Sequence, residues 1–208
     1  MIKTPTLNFS YHQDKVFSFP SIELKEGEDL LILGQSGVGK STMMQLLSGL
    51  LIPHSGDVDI NRTSLGTLSS SDMDQFRGRN IGMIFQRSHF VKSLNVLENL
   101  LLVLFLAGLE KDEVKTKDLL NQVGLGDKLD QSPFELSQGE QQRLSIASAL
   151  IKDPCLILAD EPTSSLDDVN CQIIIDLLRL QAERTKANLI IVTHDSRLKQ
   201  EFKNVLEL

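Results

Sequence analysis

The amino-acid sequence predicts an α/β protein with a mainly parallel sheet and an inserted block of helices. Short apolar or β-branched runs alternate with longer helical patterns, which is how an α/β unit reads. A glycine-rich loop joins a continuous apolar run to a helix, and the stretch between Phe90 and Leu150 holds helical patterns only.

The elements follow in order. Through about Leu24 the chain reads as strands, because "LNFSY" and "VFSFPSIEL" carry period-two patterning. "DLLILG" is an unbroken apolar run ending in glycine, as a strand buried on both faces should be. "KSTMMQLLSGL" reads as a helix, while "IGMIF", "CLILAD" and "NLIIVTH" read as further buried strands. Between them lie "VLENLLLVLFLAGL", "KDEVKTKDLLNQVGL" and "GEQQRLSIASALIK", three helices separated by signals at Gly124, Gly126 and Pro133. The expected division is one domain over 1–208, with a core of about 1–86 and 153–208 and a helical subdomain of about 87–152.

Composition narrows the function classes. A chain of 208 residues buries one large core without disulfides or metal staples. Its net charge of -7, from 21 Lys and Arg against 28 Asp and Glu, disfavours nucleic acid as a partner, since phosphate contacts are made by basic side chains. The two cysteines, Cys155 and Cys171, form no CxxC pair and point to a reducing cytosol. The N-terminal stretch lacks the charged head and apolar core of a signal peptide. "LLLVLFLAGL" is too short for a membrane span of about 20 residues.

The chemistry concentrates at the ends of the predicted strands. "GQSGVGKS", Gly34 to Ser41, satisfies G-x-x-x-x-G-K-[ST] between an apolar strand and a helix, the context a phosphate loop requires. Its glycines let backbone N–H groups face phosphate oxygens, the helix N-terminus adds partial positive charge, Lys40 supplies a full one, and the Ser41 hydroxyl suits Mg²⁺. The candidate contacts are Gly34, Gln35, Ser36, Gly37, Val38, Gly39, Lys40, Ser41 and Thr42. A bare glycine-rich turn with an exposed lysine is the competing account, and the flanking strand and helix weigh against it. "LILADEP" delivers Asp160 and Glu161 to a strand's carboxyl end, where open parallel sheets hold their ligands. There Asp160 would hold the metal and Glu161 would orient or deprotonate the attacking water. Alone, such a pair would be an acidic surface exit. His194 ends "LIIVTH" in the same place and would donate to a terminal phosphate or to the water, although a lone histidine is more often a satisfied surface group. Gln86, closing "IGMIFQ", brings an amide within reach of metal or water.

Taken together, "GQSGVGKST", "IFQ", "LSQGEQQR", "LILADEPTSSLD" and "VTHD" stand in the order and spacing of an ABC transporter ATP-binding subunit, and the resemblance spans essentially the whole chain. "RNIGMIFQ" followed by "LNVLENL" looks most like the subgroup of lipoprotein-releasing, macrolide-exporting and cell-division ATPases. The resemblance implies a RecA-like P-loop NTPase core with an N-terminal antiparallel β region and an inserted α-helical subdomain. It also implies a head-to-tail pair of ATPase subunits sandwiching two Mg-ATP, and separate integral-membrane permease subunits on the inner face of the plasma membrane. Ser137 and Gly139 match the signature residues that touch the partner's γ-phosphate, Asp167 the loop that couples the two sites, and Tyr11 the aromatic that stacks on adenine. Ser137 with Glu140 also makes S-x-x-E, which by itself is a helix-capping box. Two positions depart from the family pattern: Gln138 replaces the first of two signature glycines, and Ser148 stands where a second arginine is usual.

The implied function is ATP hydrolysis that powers export or lipoprotein extrusion. The competing functions are an ATP-driven switch at the membrane that moves no substrate and an ABC ATPase acting on DNA or ribosomes. The latter would bring coiled-coil insertions or two fused cassettes, which this chain lacks. Leu94, Val96 and the apolar run after Leu100 are expected to give part of a docking surface, with most of that run in the subdomain core.

Overall fold

A computed structural model describes residues 1–11, 16–163 and 168–208. Its centre is a five-stranded parallel sheet of β5 (Asp29–Leu33), β8 (Ile81–Ile84), β9 (Leu156–Asp160), β10 (Asn188–Thr193) and β11 (Val205–Glu207), in the order β11-β5-β10-β9-β8. The register pairs Ile32 with Val192 and Val192 with Asp160, so the carboxyl ends of the three central strands come level. Side chains alternate across this sheet. Leu31, Leu33, Ile157, Ala159, Leu189 and Ile191 pack on one face with the helical half of the molecule. Leu30, Ile32, Leu156, Leu158, Ile190 and Val192 pack on the other, with α1 (Lys40–Leu47) and the N-terminal strands.

Those strands are antiparallel. β1 (Ile2–Thr4) lies between β4 (Ile22–Leu24) and β6 (Asp59–Ile60), which pairs β7 (Thr63–Ser64), while β2 (Leu7–Ser10) pairs β3 (Val16–Phe19) separately. The run "VFSFPSIEL" is therefore not one strand. It changes partner at Pro20, which lacks the N–H that a continuing ladder would use.

The helical half contains α3 (Val96–Leu106), α4 (Glu113–Gln122) and α5 (Gln138–Leu150). α3 starts on a capping box in which Asn95 accepts from the Glu98 N–H and Glu98 bonds back. Its Val96, Leu100 and Leu104 are buried, whereas Phe105 and Leu106 are 61% and 72% exposed. The expectation of a docking role for Val96 is thereby corrected: at helical spacing it shares the inward stripe with Leu100 and Leu104. α6 (Asp168–Thr185) packs on the same side of the sheet, and α2 (Ser70–Asn80) precedes β8. No helix among the described residues is long and apolar enough to cross a membrane.

Candidate active site

A cavity of about 1040 Å³ opens at the carboxyl ends of the parallel strands. Its wall includes Gly34–Gly37, Gly39–Thr42, Gln86, Asp160, Glu161 and His194, so residues up to 160 positions apart in sequence meet at one edge of the sheet. Val38 is the one residue of the loop that does not line it. Its side chain is folded back over Gly34, close to where a Cβ there would stand.

The loop leaves the start of α1 without a side-chain cap. α1 starts after Gly39, whose φ of 108° belongs to the left-handed region, and no side chain caps this helix end. Its first N–H groups therefore have no side-chain acceptor among the described residues. Lys40 is 9% exposed and donates its Nζ protons to the carbonyls of Gly34 (2.7 Å) and Gln35 (3.2 Å), which ties the loop across its own mouth.

Two carboxylates follow each other with different surroundings. Asp160 Oδ2 accepts from Ser41 Oγ at 3.0 Å. Burial pushes the Asp160 carboxyl above its ordinary range, opposed by the Ser41 bond. Glu161 turns the other way, with φ 50° at a non-glycine residue. Its Oε2 accepts from Thr193 Oγ1 at 2.8 Å, and its Oε1 meets the His194 N–H at 3.1 Å and His194 Nδ1 at 2.8 Å. Lys40 Nζ lies 3.7 Å from the same oxygen. Glu161 is held on three sides, whereas the His194 side chain is 64% exposed and turned onto it.

The remaining expected residues are more scattered. Tyr11 does not line the cavity. Its hydroxyl bonds to Thr42 Oγ1 (3.2 Å) and Gln45 Oε1 (3.1 Å), and its ring stands edge-on to Phe9 and Phe17. Phe17 lines the cavity instead, stacked on Phe19 at 6.0 Å. Lys199 and Glu207, an ion pair, and Leu208 also line it. None of these four carries a motif in the sequence. Ser137 and Gly139, at the start of α5, do not line this cavity. Ser137 Oγ donates to Glu140 Oε2 at 2.7 Å, and the Ser137 N–H donates to the same oxygen at 2.8 Å. Gln138 is exposed, Ser148 bonds back to the Leu144 carbonyl at 2.9 Å, and Asp167 lies outside the described residues.

A helix end with unspent N–H groups, a buried lysine and a Ser–Asp pair at one strand edge can do little but bind a polyphosphate, and this defines a P-loop nucleotide-binding protein. The sequence profile of the ABC transporter family matches residues 18–164. The lipoprotein-releasing system ATP-binding protein LolD of Xanthomonas campestris pv. campestris is 35% identical over 214 residues, covering 100% of this chain and 90% of its own. Among solved structures, the dimeric bacterial ABC transporter cassette MJ0796 superposes with a TM-score of 0.88 at 30% identity, over 100% of this chain and 94% of that one. The MJ0796 dimer in a post-hydrolysis state, bound to ADP and Pi, gives 0.86 at 29% identity over the same shares. The chain belongs to the ABC transporter family and is one of its ATPase cassettes.

Proposed function

We propose that the chain is the ATP-hydrolysing subunit of a membrane transporter that exports or releases lipoproteins or peptides, acting as an ATP-bound pair of cassettes on separate permease subunits. The observation that carries this reading is the edge of the sheet itself: an uncapped helix end and Lys40 on one side, and Glu161 held by Thr193 and His194 on the other. The name of the Xanthomonas relative supports the substrate class, and the dimeric MJ0796 structures support the pairing. A membrane location through permeases fits a chain in which no described helix is long and apolar enough to cross a membrane.

The division of labour follows from position. Gly34–Thr42 bind the phosphates through backbone N–H groups, Lys40 neutralises their charge, and Phe17, which lines the cavity where the expected Tyr11 does not, faces the base. Glu161 orients or deprotonates the attacking water, and His194, able to swing because it is exposed, meets the terminal phosphate. Ser41 and Asp160, joined at 3.0 Å, with Gln86 on the same wall, form an all-oxygen donor set. Among the described residues no cluster of three His, Cys, Asp or Glu stands by, which suits a cation that takes most of its ligands from phosphate and water, as Mg²⁺ does. When bound there, Mg²⁺ supplies charge neutralisation at the phosphates. Ser137 and Gly139 act on the nucleotide of the other cassette. The core comprises about 1–86 and 153–208, and the helical subdomain of about 87–152 meets the permease, where Phe105 and Leu106 are exposed.

The test is phosphate release from ATP by the purified chain, with and without Mg²⁺. Release that needs Mg²⁺ and Lys40 is expected. Equal rates in Lys40→Ala would sink the reading.

A further inference from the structure

Beyond the strand end, the segment carrying Glu161 is not self-supporting. Glu161 leaves β9 with φ 50°, although its N–H still donates to the Val192 carbonyl at 2.8 Å. Pro162 has no N–H to offer. Thr163 is 1% exposed, and its hydroxyl finds no hydrogen-bond partner among the described residues. A left-handed non-glycine residue and an orphaned buried hydroxyl persist only where neighbours hold them.

One such neighbour is on α5. Gln142 Nε2 donates to the Pro162 carbonyl at 3.1 Å, across 20 residues of sequence. The next residue, Arg143, donates from Nε to the Val123 carbonyl at 2.9 Å, at the end of α4. Successive side chains thus tie the first turns of α5 to the turn after Glu161 and to the helical half. The same helix begins with Ser137 and Gly139.

We propose that Gln142 is a positioning residue for hydrolysis: its amide holds the turn of residues 161–163, so that the seating of α5 sets where the Glu161 carboxylate stands. This rests on the reading of Glu161 as the group that acts on water. A displacement of α5, such as engagement of its N-terminus by a second cassette would cause, reaches Glu161 through this hydrogen bond. The corner that serves the partner's nucleotide thereby reports to the chain's own site.

The experiment is a double-mutant cycle on the full chain. Gln142→Met keeps the side-chain volume and removes the donor; Gln142→Glu keeps the shape, also removes it, and serves if the first variant folds poorly. Single-turnover ATP cleavage, ATP affinity and thermal stability are measured for each, in the native and Glu161→Gln backgrounds. Cleavage should fall about tenfold in the native background, as for a small misplacement of a reacting group, with ATP affinity unchanged. In the Glu161→Gln background the same substitution should add nothing, because Gln142 acts only through Glu161. An unchanged rate, or the same loss in both backgrounds, overturns the proposal. Undiminished cleavage by Glu161→Gln alone overturns the reading of Glu161 and the proposal with it, and is seen before Gln142 is touched.

Discussion

The N-termini of α1 and α5 are built from similar residues and do opposite things with their orphan N–H groups. At α1 the preceding residue is Gly39 and no side chain caps the end, so the donors stay available inside a cavity with Lys40 beside them. At α5 the preceding residue is Ser137, and a reciprocal box with Glu140 takes up the Ser137 and Glu140 N–H groups on an exposed surface. The first end is prepared for an anion within the chain. The second is capped by its own side chains, and on the proposed reading it would meet an anion only when another cassette brings one. The contrast teaches that glycine and serine at a helix mouth do not define a phosphate site; what matters is whether the protein has already used the donors.

The largest expected effect separates the two ends chemically. Glu161→Gln should slow ATP turnover by about 10²- to 10⁴-fold and leave ATP binding intact. Phosphate-release assays beside nucleotide-binding titrations check this, and near-normal turnover would remove Glu161 from its role. At the other end, Gly139→Asp should leave the isolated chain folded, since the nearest atom to a Cβ there is Arg143 Nη1 at 3.8 Å. It should nonetheless weaken ATP-driven pairing by about a hundredfold, because a carboxylate would face the partner's terminal phosphate. Light scattering with ATP reads this directly, and a normal ATP-dependent dimer would disprove the assignment of α5 to the partner's nucleotide.

A smaller effect tests the backbones. At Gly39 a Cβ would lie 2.7 Å from Phe17 Cδ1, at φ 108°, so Gly39→Ala should destabilise by about 1–3 kcal/mol. Gly139→Ala has room and sits in a helix, where alanine is favoured by up to about 1 kcal/mol. Opposite signs in thermal melts are expected, with about 2–4 °C per kcal/mol for a chain of this length. Equal signs would mean that the two glycines are not there for different reasons.

How much of this was legible in the sequence depends on whether the signal was local. The loop Gly34–Thr42 apart from Val38, Asp160, Glu161, Gln86 and His194 meet in one cavity because each closes an apolar run that reads as a strand, and parallel strands deliver their carboxyl ends together. α2 left no periodic trace, since none of its residues is fully buried. β11 spans only Val205–Glu207 and exists through pairing with β5, some 170 residues away. Pro20 hid a change of sheet inside what reads as one strand. Phe17, Lys199 and Glu207 reached the cavity wall through tertiary approach, and the Gln142 bond joins two motifs that the sequence shows only as neighbours in a pattern.

The smallest effect concerns the acids beside the two helix ends, which should respond to pH with opposite signs. The hydrogen bonds from Ser137 hold the Glu140 carboxyl below its ordinary value near 4.5. A depressed folded value means that its charge stabilises the fold above about 4.5 and that this contribution disappears as pH falls through the folded value. Burial instead raises the Asp160 carboxyl above 3.8. Its stabilising contribution is therefore complete below 3.8, where it is protonated, and is lost as pH climbs through the raised value. At neutral pH, Glu140→Gln should lower the melting temperature of the nucleotide-free chain slightly, and Asp160→Asn should raise it by about 2 °C while ending Mg²⁺-dependent hydrolysis. Melts from pH 3 to pH 8 check both. A drop in stability for Asp160→Asn at pH 7 would mean that the Ser41 bond outweighs burial, and that the carboxylate is not held in readiness for a cation.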